Sequence, residues 1–120
     1  MAGRDFLPGE WRIVKRRTRA RLVTAARAGR TIFYKDVAAL FLDPRLKPQS
    51  GAMRELLMEI SVAEHGAGRP LLSAIVVRTD TRRPGKGFEA MARRLKCRVG
   101  SHPDRFWRRQ RDQVWKHAWR

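Results

Sequence analysis

Charge is sorted along this chain so that only its middle is free to supply an uninterrupted apolar segment. Of 120 residues, 28 are Lys or Arg and 11 are Asp or Glu. Residues 1–47 carry 12 bases and 4 acids, residues 48–77 carry 2 and 3, and residues 78–120 carry 14 and 4. Net charges of +8, −1 and +10 therefore follow one another, and two cationic arms flank a nearly neutral centre. Positive charge at this density repels itself in a compact state, and a polyanion that sheds counterions on binding relieves the repulsion. Nucleic acid is the partner expected on that ground.

The chain is still expected to fold. Hydrophobic residues make up 42% of it, enough for one core, and its length suits one domain. That domain is expected to span residues 1–120, with a core over about 10–96 and a basic, aromatic helix over about 101–119. Cys97 is the single cysteine, which rules out an intrachain disulfide and suits a reducing compartment. No apolar run approaches the ~20 residues of a membrane span, and the start has no signal-peptide apolar segment. A cytoplasmic protein that stays off membranes is expected, as a monomer or homodimer. The bases are 22 Arg and 6 Lys, a bias that fits forked phosphate contacts or a GC-rich genome equally.

Periodicity sets the elements. Gly3, Pro8 and Gly9 read as a loose start, with a helix from about Glu10. Trp11, Val14, Thr18, Leu22 and Ala25 recur at helical spacing, and Gly29 fits the residue just past the helix end. Arg12, Lys15, Arg16, Arg17, Arg19 and Arg21 cover the rest of that helix. Six cations within ten residues, with no acid between them, forgo every i,i+4 ion pair and so point to phosphate. Thr31 is expected to cap a helix from Ile32 to Leu42, which Asp43-Pro44 breaks. A third helix follows from about Gln49 to Glu64, with Ala52, Met53, Leu56, Leu57, Ile60 and Ala63 on one face. The run Pro70 to Val77 reads as a strand, Arg78 to Gly87 as a basic loop, and Phe88 to Leu95 as a short helix. A final helix starts at Pro103, capped by Ser101 or His102. Within it Trp107 and Trp115 are expected to pack, and Trp119, near the end, to stack on bases.

This order is mainly α with a small β element, in the sequence of a winged helix-turn-helix with an extra C-terminal helix. In that architecture the third helix enters the major groove by its N-terminal end and the loop beyond it lies along the backbone or minor groove. Lys47, Gln49, Ser50 and Arg54 would then reach base edges or nearby phosphates, since Gln and Arg pair bidentately with purines. Arg82, Arg83 and Lys86 would form the wing contact. Arg12, Lys15, Arg16 and Arg19 of the first helix, with Arg108 and Arg109 of the last, would add backbone contacts. Glu55, Glu59 and Glu64 fall in the middle and C-terminal part of the third helix, where a groove-bound helix leaves the phosphates. Binding dominated by phosphates, with modest base readout, is the expectation.

The segment Ile32-Phe33-Tyr34-Lys35-Asp36-Val37-Ala38 resembles the start of the second helix in the DNA-binding half of alkyltransferase-like repair proteins, where a Tyr precedes a helix of the form Tyr-Gly-Asp-Val-Ala. Those enzymes carry their reactive thiol in a Pro-Cys-His-Arg motif. This chain has Pro70-Leu71-Leu72-Ser73 in the comparable region, so the resemblance implies the DNA-binding fold without alkyl transfer. The stretch Arg69 to Val77, followed by Pro84-Gly85-Lys86-Gly87-Phe88, also resembles a family of small, functionally uncharacterised bacterial proteins.

Other chemistries find less in the sequence. His65, His102 and His117 lack metal-ligand spacing, and one Cys builds no structural zinc site, so neither metal nor cofactor is expected. A magnesium-dependent nuclease or toxin would need clustered carboxylates. Asp36, Asp43, Glu55, Glu59, Asp80 and Glu89 are available without a spacing that gathers them. Pro84-Gly85-Lys86-Gly87 lacks the first glycine and the Ser/Thr of a P-loop. Cys97 lies between two cations that favour a thiolate, against a half-buried structural thiol as the plainer reading. RNA remains the alternative polyanion.

Overall fold

Leu71 to Val77 form the spine of the molecule, and every one of these residues is buried. The computed structural model describes residues 5–119. Gly3 and Arg120 lie outside them. Five α-helices are formed among the described residues: α1 (Pro8–Arg27), α2 (Tyr34–Ala39), α3 (Gly51–Gly66), α4 (Gly87–Arg94) and α5 (Pro103–Lys116). Two short 3-10 turns, Pro44–Leu46 and Leu72–Ile75, and two strands, β1 (Ile32–Phe33) and β2 (Val76–Val77), complete the fold. The protein is mainly helical with one small sheet. No helix among the described residues is long and apolar enough to cross a membrane.

Residues 70–77 were expected to be extended throughout, yet Leu72–Ile75 coil into a 3-10 turn and only Val76–Val77 are strand. Side chains replace the sheet partner that a longer strand would need. Ser61 Oγ accepts the Ser73 N–H at 3.0 Å, and Trp107 Nε1 donates to the Ala74 carbonyl at 2.8 Å. With those backbone groups satisfied, the turn buries its apolar residues against α1, α3 and α5. β2 then pairs in parallel with β1, Ile32 opposite Val76 and Phe33 opposite Val77. That pairing draws Ile32 and Phe33 out of the expected helix, so α2 starts only at Tyr34 and ends at Ala39. Arg78 donates its N–H to the Arg83 carbonyl at 2.9 Å, but no third strand forms among the described residues.

The long helices follow their sequence signals more closely. α1 starts two residues before Glu10, because Pro8 suits a first helical turn and Glu10 accepts the Leu7 N–H at 3.0 Å. Pro8 and Gly9 therefore belong to the helix. Gly29 takes φ +65°, and the Arg30 N–H reaches the Ala25 carbonyl at 3.0 Å, a left-handed closure that glycine permits. Val14, Leu22, Val37, Met53, Leu56, Ile75, Trp107 and Val114 share one core, so α5 is part of the domain rather than an appendage. A smaller cluster of Leu71, Met91, Ala92, Val99 and Phe106 lies under α4.

Trp119 departs from expectation. It is 5% exposed, donates Nε1–H to the Val114 carbonyl at 2.7 Å, and its own carbonyl accepts from Arg27. The aromatic end of the chain is locked down by α1 and is closed to base stacking. Trp107 packs as expected, and half-buried Trp115 donates to the Arg30 carbonyl at 3.1 Å.

Candidate nucleic-acid interface

A cleft of about 930 Å³ opens between the start of α2, the first turns of α3, the 78–87 loop and α4. Its inner wall is apolar, with Met53, Leu57, Met58 and Phe88, and its rim is cationic, with Lys35, Arg54, Arg78, Lys86 and Arg94. Asp80 is the one acid among the described lining residues, and Arg78 holds it through two hydrogen bonds of 3.0 and 2.9 Å. Those bonds keep the Asp80 carboxyl below its usual pKa range.

Local sequence explains how the wall is built. Ser50 Oγ accepts the Met53 N–H at 3.1 Å and so caps α3. That fixes Gln49, exposed, just outside the helix and Arg54, exposed, on its first turn. The 78–87 loop is fastened by two consecutive aromatics. Arg82, at φ +58°, lies over the Phe33 ring at 5.0 Å, and the Gly85 N–H donates to Tyr34 Oη at 2.9 Å. A Cβ on Gly87 would stand 3.4 Å from the Arg54 side chain, so α4 begins in contact with that arginine. Burial pushes the Tyr34 pKa up despite the Gly85 hydrogen bond and the nearby Arg78 and Arg54 charges. The phenol therefore keeps its proton at neutral pH.

The expected contact residues divide into three groups. Gln49, Ser50, Arg54 and Lys86 line the cleft together, with Lys47 exposed just before them and Arg82 exposed on the loop. Ser50 is a helix cap, which commits its oxygen to the backbone. A second group is tied by acids. Lys15 bonds Glu59 at 3.2 Å, Arg19 bonds Glu64, and Arg83 and Arg108 each lie 3.2 Å from Asp104. Lys15 and Arg19 thus fasten α1 to α3 instead of standing free for phosphate. Arg12 and Arg16 form the third group with Arg109, exposed and without an acid partner among the described residues. Arg12 stands two positions before buried Val14, and Arg16 two before buried Thr18. At about 100° per residue they point roughly opposite to the core.

Three cations of the cleft, Lys35, Arg78 and Arg94, and the Tyr34 phenol lie outside the contacts expected from the sequence. Tyr34 and Lys35 are the first two residues of α2. Arg94 follows Ala90 at i+4, a row on α4 that only the packed structure turns toward the cleft.

Nothing in the described residues gathers three His, Cys, Asp or Glu side chains about a common point. Cys97 is half-buried, and burial raises its pKa, so the thiolate favoured by its flanking cations is not formed at neutral pH. The chain matches no known protein family, no curated protein and no solved structure.

Proposed function

We propose that this protein binds nucleic acid, foremost duplex DNA, through phosphate contacts made around the cleft at the start of α3. On this reading α2 and α3 act as a helix-turn-helix pair, and the 78–87 loop does the work of a wing. The carrying observation is the placement of uncompensated charge. Lys35, Lys47, Arg54, Arg82, Lys86 and Arg94 have no acid partner among the described residues, and they surround or adjoin one opening. Guanidinium and ammonium groups left unpaired on one surface repel each other, and a phosphate backbone is the ligand that relieves them.

Base readout is the smaller part. Gln49 and Arg54 are the exposed side chains at the start of α3 able to address purine edges bidentately. The remaining cations position the duplex without reading it. RNA is separated from DNA by competition, because charge alone treats both polymers alike. Unlabelled duplex DNA should displace a fluorescent duplex at lower concentration than a structured RNA of equal length. Displacement by RNA at the lower concentration would replace duplex DNA with RNA as the ligand.

A further inference from the structure

Phosphate contacts use the rim of the cleft and leave its inner wall without a role. That wall is apolar, and Met58 and Phe88 are only half-buried on it, beside buried Met53, Leu57 and Met91. A duplex offers phosphate and sugar along its backbone, and neither gains from an apolar recess. The volume of about 930 Å³ falls within the range of small-molecule sites, roughly 300–1,000 Å³. Polar groups that suit an anion line the same recess. Tyr34 Oη accepts the Gly85 N–H, which leaves its own O–H without an acceptor among the described residues. Arg54 and Arg78 lie close enough to this phenol for their charges to act on it. Arg78 bonds Asp80 through Nε and Nη2, so its Nη1 is still available.

We infer that the cleft is also a small-molecule site, which takes an aromatic carboxylic acid and releases nucleic acid when the acid binds. A site for phosphate alone has no use for the apolar wall. A site for a neutral apolar ligand has no use for Lys35, Arg54, Arg78, Lys86 and Arg94 at its rim. An acid with an apolar body uses both. Its carboxylate meets the Tyr34 O–H and the guanidinium groups of Arg54 and Arg78, where charge-assisted hydrogen bonds hold it. Its ring lies on Met58 and Phe88, because thioether sulfur and aromatic edges both favour a ring as neighbour. An acyl chain would gain burial there without those contacts. The release of nucleic acid rests on the cleft reading above, in which Arg54 is a contact that a bound carboxylate neutralises.

The test uses the full chain with naphthoate as probe, first alone by calorimetry and then against a fluorescent duplex. Naphthoate should bind at a single site, and naphthamide, its neutral counterpart, about tenfold more weakly or worse. At about ten times its own Kd the acid should weaken duplex binding about elevenfold, because the two compete for one site. Met58→Gln should weaken naphthoate binding about tenfold, since it sets an amide against the ring, with a melting curve to show that the variant folds. Arg54→Ala should weaken both ligands. No naphthoate binding at millimolar concentration would overturn the inference and leave the nucleic-acid reading standing. Equal binding of naphthamide would also overturn it, by removing the role of the anion. So would naphthoate binding that leaves the duplex in place, which would put the acid elsewhere. Octanoate bound more tightly than naphthoate would replace the aromatic acid with an acyl one, and adenosine monophosphate bound more tightly would make this a nucleotide site. Naphthoate binding by a protein that takes up no duplex at low salt would bring down the nucleic-acid reading and leave the small-acid site standing.

Discussion

Raising monovalent salt from 50 to 200 mM should lower the affinity for a duplex about 10³-fold. The figure follows from the number of unpaired cations around the cleft. Six of them, Lys35, Lys47, Arg54, Arg82, Lys86 and Arg94, stand without acid partners among the described residues. Each neutralised phosphate contributes about −0.9 to the slope of log affinity against log salt, so six give a slope near −5.4. Arg78, Arg83 and Arg108 add less, because each already holds a carboxylate that must be displaced. Fluorescence anisotropy across this range reads the slope directly. A slope near −1 would mean that the cleft engages its ligand by something other than phosphate.

The R19A/R69A double variant should lose about 3–5 kcal/mol of stability, because it strands a buried charge. The Glu64 side chain is 2% exposed, and Arg19 and Arg69 are its two ion-pair partners among the described residues. Burial works against ionisation of this carboxyl, but the hydrogen bonds and charges of the two arginines outweigh it and hold its pKa below the usual glutamate range. A depressed folded-state pKa stabilises fully above the unfolded value, about 4.3, and the contribution is lost as pH falls through the folded value. In the double variant burial acts alone and raises the pKa, which reverses the sign. Stability should then fall as pH rises above about 4.3, whereas wild type gains or holds. Thermal melts at several pH values check both statements. Adding Glu64→Leu to the double variant should recover much of the loss, because no charge is left buried.

The elements legible in the sequence are those whose backbone groups are satisfied inside one segment. α1 and α3 show their buried stripes at helical spacing, and Gly29 closes α1 just past its end. The 72–75 turn was read as strand because its β-branched and apolar residues say only that it is buried. What coils it is supplied from elsewhere, by Ser61 and Trp107, 12 and 33 residues away from the groups they bond. The same distance effect governs the charges. Lys15 and Arg19 lack acids within one helical turn, yet Glu59 and Glu64 meet them from 44 and 45 residues along the chain. A local scan for ion pairs is blind to such partners. Gln49, Arg54 and Lys86 were legible as a group because cap, first turn and basic loop follow one another in the expected order. Tyr34 and Arg94 needed the packing of α2 and α4 against α3.

The most direct test follows backbone amide resonances during titration with a short duplex at low salt. Residues 34–35, 47–54, 78–87 and Arg94 should shift at the first equivalent, ahead of the tied cations Lys15 and Arg19. Shifts that begin on α1 or the end of α5, with the cleft unmoved, would contradict a duplex seated at the start of α3.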